Sequence, residues 1–128
     1  MRPRPISPHL QVYRWQIQMV VSILNRATGA VLAVGAVAIA GVLFALQGDA
    51  LRWTAIQQHL SSWYGLVLMA GWTWCLVFHS LAGLRHLLQD AGWFCSIDAF
   101  KATAWTTVIG SLALTALLML VPWGRAGA

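Results

Sequence analysis

The sequence predicts an all-α integral membrane protein with three transmembrane helices. Two observations carry that reading. Hydrophobic residues make up 59% of the 128 residues and charged residues only 9%, where a soluble domain carries about a quarter charged. The charges are also segregated, with no Asp, Glu, Lys or Arg from Ala27 to Gly48, from Trp53 to Leu84, or from Ala102 to Gly124. Each gap exceeds the roughly 20 residues that, at about 1.5 Å rise per residue, cross a hydrocarbon core about 30 Å thick. A helix satisfies its own backbone in lipid, where no water can.

The chain reads as a single membrane-anchor domain, 1–128. Pro3, Pro5 and Pro8 keep the opening residues out of a helix, so 1–16 is an N-terminal segment ahead of the bilayer. Helical periodicity begins between Tyr13 and Arg26, and the first span is expected at about 20–47, its body rich in Ala, Val and Gly. No apolar core leading to a cleavage site precedes it, so this helix is expected to be retained. In the middle gap, Gln57-Gln58-His59-Leu60-Ser61-Ser62 reads as a loop ending in a Ser N-cap, which leaves a second span at about 62–87. The third span is expected at about 102–123, capped by Ser96 or Asp98 and ended by Pro122. Trp15, Trp53, Trp63, Trp93, Trp105 and Trp123 fall near these ends, where an indole can place its ring among acyl chains and its N–H among headgroups. The short loops leave little room for a water-soluble catalytic domain, so any large chemistry is expected on partner chains.

The formal net charge of +5 is better explained by topology than by nucleic-acid binding. Arg2, Arg4, Arg14, Arg26, Arg85 and Lys101 fall on one side of a three-helix arrangement, Arg52 and Arg125 on the other. The positive-inside rule then puts the N-terminus in the cytoplasm. Cys75 lies within the second span and Cys95 in a loop, too far apart for a disulfide and too few for a thiolate cluster, so both are read as packing residues.

His79 is the residue that most needs an explanation, because an imidazole inside a span is costly without a partner. It can hydrogen-bond a neighbouring helix, or it can bind a metal through one nitrogen, as in a b-type haem. His86 lies seven residues on, within about 20° on the same helix face and roughly 10.5 Å along the axis, and cannot be the opposite axial ligand. No other span contains a histidine, so a haem with two His ligands needs a partner subunit. Arg85 and His86 could face haem propionates or be snorkelling interface residues. A second cluster, Ser22, Arg26 and Gly29, shares one helix face that offers a hydroxyl, a guanidinium and a gap without a side chain. A planar carbonyl compound could dock there; an interface Arg beside a helix-start Ser is the plainer alternative.

Three segments together resemble one family: Arg4-Pro-Ile-Ser-Pro-His-Leu-Gln-Val-Tyr13, Ser22-Ile-Leu-Asn-Arg-Ala-Thr-Gly29 and His79-Ser-Leu-Ala-Gly-Leu-Arg-His-Leu-Leu-Gln-Asp90. The family is the cytochrome b subunit of succinate dehydrogenase, and the resemblance runs from Arg4 to about Asp90. It implies a membrane anchor in a four-subunit complex, beside a second small anchor and beneath an iron-sulfur subunit and a flavoprotein. It further implies that His79 is one axial ligand of haem b, with the other His from the second anchor, and that Ser22 and Arg26 border a quinone site. Electrons from succinate would reach quinone there, while this chain makes no covalent bond to succinate. The resemblance breaks at Asn25, where the family usually has His; an amide does not titrate near neutral pH, so a proton-relay role does not carry over. A bacterial cytoplasmic membrane is the expected location. The rival readings are a haem-free tether for soluble partners, a fumarate reductase anchor and, last, a small channel or transporter subunit. The spans lack the acidic residues and broken helices of a substrate path.

Overall fold

The computed structural model describes residues 13–47 and 50–126, with side chains for 13–47 and 51–120. The motif segment 4–12, Arg2, and the side chains of Trp123 and Arg125 therefore lie outside the described residues. Among those described there are four helices and no strand: α1 Ile17–Ala45, α2 Ala50–Ser61, α3 Trp63–Asp90 and α4 Ile97–Ala126. Three helical stretches, Ile17–Ala45, Trp63–Asp90 and Ile97–Leu120, are long and apolar enough to cross a membrane.

The second and third spans extend beyond the expected bounds, and two expectations fail. Gln57 to Ser61 is not loop but the last part of α2. Ala50, Leu51, Arg52, Ala55, Gln57, Gln58 and Leu60 are strong helix formers, and their polarity is compatible with a helix outside the lipid. The expected cap is present, since Ser62 Oγ accepts from the Gly65 N–H at 3.2 Å and starts α3. A Cβ on Gly65 would stand 2.2 Å from the carbonyl oxygen of His59 and 2.6 Å from that of Leu60, so this tight α2–α3 junction requires glycine. Pro122 does not end α4, which runs on to Ala126. Proline removes one intrahelical hydrogen bond without abolishing the ladder on either side, and membrane helices tolerate it.

The α3–α4 turn is closed from both sides. Gly92, at φ 83°, donates to Gln89 O at 2.9 Å, and the Trp93 N–H reaches Leu88 O at 2.9 Å, the paired bonds of a glycine C-cap. Ser96 Oγ then accepts from the Ala99 N–H at 3.3 Å, and Asp98 occupies the first turn of α4, where a carboxylate suits the helix dipole.

Helices α1 and α3 run antiparallel, as do α3 and α4, so the starts of α1 and α4 and the end of α3 share one end of the bundle. A small core forms near that end from Val21, Phe78, Ala82 and Ala104, flanked by Ile17, Leu24, Trp74 and Val108. Polar groups inside it are satisfied locally. Trp74 Nε1 donates to Ser111 Oγ at 3.2 Å, Thr107 to Thr103 O at 2.9 Å and Thr115 to Ser111 O at 2.7 Å. Cys75 is buried, as packing requires, whereas Cys95 is exposed in the turn, and both are free thiols. Away from the core, Val34, Val37, Leu43 and Phe44 project apolar surface outward.

Two glycines let α3 approach α1. Gly29 receives the ring of His79, and Gly35 receives that of Trp72, whose nearest ring carbon lies 1.5 Å from where a Cβ would be. Gly35→Ala is therefore expected to displace Trp72 and to cost about 1–3 kcal/mol as an overpacking substitution, read as a lower apparent Tm of the detergent-solubilised protein. In a Trp72→Ala background the same change should cost much less; equal costs would show that the indole does not occupy this notch.

Candidate functional site

The site builds outward from the α1–α3 contact. Periodicity puts Val21, Asn25 and Thr28 of α1 toward α3, and His79 meets that surface from the α3 side. His79 Nδ1 lies 3.0 Å from the backbone carbonyl oxygen of Asn25 and 3.4 Å from Thr28 Oγ1. A carbonyl can only accept, so in this arrangement Nδ1 carries the hydrogen and donates it to Asn25. Nε2 then holds the lone pair, and it has no hydrogen-bond partner among the described residues. Gly29 makes the approach possible, because its Cβ would stand 2.9 Å from His79 Cε1.

The gap at Gly29, which the sequence offers to a planar ligand, is thus filled by His79 itself. Ser22 and Arg26 remain beside it on α1, half-buried and exposed respectively. Neither side chain makes a hydrogen bond or ion pair among the described residues, so a hydroxyl and a guanidinium stand free one turn apart. Between them, the side-chain Oδ1 of Asn25 is buried without a partner, even though its backbone oxygen is engaged. Gln18 Oε1 and Gln89 Nε2 are likewise buried without a partner among the described residues, so such an atom does not by itself mark a ligand site.

Arg85 is turned elsewhere. It is buried, with Nε donating to Thr103 Oγ1 at 3.1 Å and Nη2 to Phe100 O at 3.2 Å, and its guanidinium lies 4.4 Å from the Phe100 ring centroid. It clamps α3 to the start of α4. Sequence spacing shows the cation but not its acceptors, since Phe100 and Thr103 meet it only after the chain reverses at Gly92. His86 follows as an exposed residue on the His79 side of α3.

A b-type haem fits the donor set. A neutral imidazole held through Nδ1–H by a backbone carbonyl is the usual form of a metal-ligating histidine. One turn beyond His79, a Cβ on Gly83 would meet nothing within 4 Å, so the surface there is open. No group of three or more His, Cys, Asp or Glu gathers among the described residues. Thr28 is the residue that the sequence alone did not single out. Its presence in the Ser22–Gly29 segment was the available signal, and its role depends on which helix its face meets.

The fold and site define a class: a small three-span anchor with an imidazole presented from within its bundle. The chain belongs to the succinate dehydrogenase/fumarate reductase transmembrane subunit family, whose model matches residues 1–118. It is 37% identical over 118 residues to the succinate dehydrogenase cytochrome b556 subunit of Paracoccus denitrificans, covering 92% of this chain and 91% of that one. Similarity extends to the cytochrome b556 subunit of Rickettsia prowazekii, 32% identical with 90% of each chain covered. The cytochrome b560 subunit of Reclinomonas americana is 34% identical, covering 94% of this chain and 84% of its own. The chain is a membrane subunit of an oxidoreductase family.

The Arg85 clamp predicts a stability effect. Arg85→Lys cannot reproduce two directed donors and a planar stack and should cost about 1.5–3 kcal/mol, seen as a lower apparent Tm. Combined with Thr103→Val the losses should be less than additive; full additivity would mean that the two side chains do not interact.

Proposed function

We propose that this chain is a haem b-bearing membrane anchor of a succinate:quinone oxidoreductase, with His79 as one axial ligand. The observation that carries the proposal is the Nδ1–H bond to Asn25 O at 3.0 Å, which leaves Nε2 as a free lone pair inside the bundle. Because no other described span supplies a histidine, the second axial ligand comes from a partner small anchor. When bound, haem b supplies a one-electron redox centre near the quinone site.

In this reading, Ser22 and Arg26 donate hydrogen bonds to a quinone carbonyl oxygen. The Arg26 guanidinium stabilises the negative charge that grows on that oxygen as electrons arrive from the iron-sulfur subunit. Asn25, buried between them, accepts a hydrogen bond without titrating near neutral pH, so protons reach the quinone by other groups or water. Arg85 uses two of its donors on α4; its remaining N–H groups and the exposed His86 ring are the groups of this chain that would face haem propionates. The flavoprotein oxidises succinate and the iron-sulfur subunit relays the electrons. The names of the relatives support this assembly, as does the site.

The proposed setting is a bacterial cytoplasmic membrane with the N-terminus cytoplasmic. Arg14, Arg26, Arg85 and Lys101 collect at the bundle end that holds the starts of α1 and α4, against Arg52 at the other, which agrees with positive-inside placement.

His79→Leu tests the ligand. In membranes carrying the assembled complex, the dithionite-reduced minus oxidised spectrum should show a b-type α band in the wild type and lose it in the variant. A band that survives would exclude His79, and no band in the wild type would leave a haem-free anchor. Arg26→Leu tests the quinone site, and succinate:quinone reductase activity should fall by about 10- to 100-fold for a lost charge-assisted hydrogen bond. Unchanged activity in the intact complex would remove Arg26 from the site.

A further inference from the structure

The surroundings of His79 Nδ1 contain a second oxygen that the proposed function does not use. Thr28 is buried, at 3% exposure, and its Oγ1 lies 2.8 Å from Leu24 O, 3.0 Å from Asn25 O and 3.4 Å from His79 Nδ1. A hydroxyl has one hydrogen and two lone pairs. The shortest of the three distances gives the hydrogen to Leu24 O, a carbonyl that can only accept. The oxygen's lone pairs are then free to face Nδ1–H, which bonds Asn25 O at 3.0 Å and meets Thr28 Oγ1 as a second, longer acceptor.

We propose that Thr28 is a positioning residue for His79: its hydroxyl oxygen and the Asn25 carbonyl together hold the ring in the Nδ1–H tautomer and raise the donor strength of Nε2. This rests on the reading of His79 as a haem ligand. The other side of the seat is Gly29, where a Cβ would lie 2.9 Å from Cε1 and 3.4 Å from Nδ1. The ring is thus held by two acceptors at one nitrogen and by a missing side chain at the adjoining carbon. A half-turn about the Cβ–Cγ bond would present a C–H to both oxygens and lose the hydrogen bond, so one ring orientation is selected before any ligand arrives.

The electronic consequence has a definite sign. Acceptors on Nδ1–H draw its hydrogen and give the imidazole partial anionic character, which makes Nε2 a stronger donor and favours the more highly charged, oxidised metal. Removing one acceptor must shift the metal's midpoint potential upward. Thr28→Val preserves size and branching and deletes only the hydroxyl, and Thr28→Ser deletes only the methyl group.

The experiment is a redox titration of haem b in the assembled complex, with the low-spin EPR g values of its oxidised form, for wild type, Thr28→Val and Thr28→Ser. Thr28→Val should shift the midpoint positive and move the g values, while Thr28→Ser stays close to wild type in both. A Thr28→Val complex with unchanged potential and g values would overturn the proposal, as would equal shifts in Val and Ser, which would trace the effect to side-chain volume. If Thr28→Val does not assemble, Thr28→Cys, similar in size with a weak acceptor sulfur, should shift the potential in the same positive direction, and an unshifted Cys variant overturns the idea. Survival of the b-type band in His79→Leu would instead overturn the ligand assignment beneath it, so the two failures are distinguishable.

Discussion

A polar ring in a helix that crosses lipid must find its hydrogen bond within protein, because the surroundings offer none. His79 finds it on the backbone of α1, and much of the bundle follows from that bond. The approach requires glycine at position 29, where a side chain would collide with the ring. It sets the α1–α3 spacing, which Trp72 in the notch of Gly35 extends by two turns. It also uses the carbonyl of the residue that stands between Ser22 and Arg26, so the imidazole is tied to the stretch of α1 that carries both side chains.

The same constraint explains where the other polar groups go. Thr107 and Thr115 return their hydroxyls to carbonyls four residues back, and Trp74 reaches Ser111 across the α3–α4 interface. Arg85, buried near the bundle end, has two acceptors and an aromatic face on α4. Among the described residues, three buried side-chain atoms have no hydrogen-bond partner, Gln18 Oε1 and Asn25 Oδ1 on α1 and Gln89 Nε2 on α3, and the side chains of Ser22 and Arg26 make no hydrogen bond.

Much of the architecture was legible from charge spacing. The uncharged gaps located all three spans, because burying a Lys, Arg, Asp or Glu in hydrocarbon costs enough to exclude them from a helix centre. The Ser62 and Ser96 caps were readable from local chemistry. Helix α2 was not, because polar residues outside the bilayer are as compatible with helix as with loop, and neither was the persistence of α4 past Pro122, since proline marks a weakened turn rather than a fixed terminus.

For the site, the sequence by itself determined the chemistry available: one intramembrane imidazole, a Ser–Arg pair one turn apart, and no second ligand on another span. Its likeness to a known family assigned those groups to haem and quinone. Only the tertiary structure decided that Gly29 serves His79 rather than a ligand, that Arg85 faces α4, and that Thr28 sits against Nδ1. The physical reason is that periodicity specifies which residues share a helix face, whereas the partner of that face is set by packing between segments some fifty residues apart.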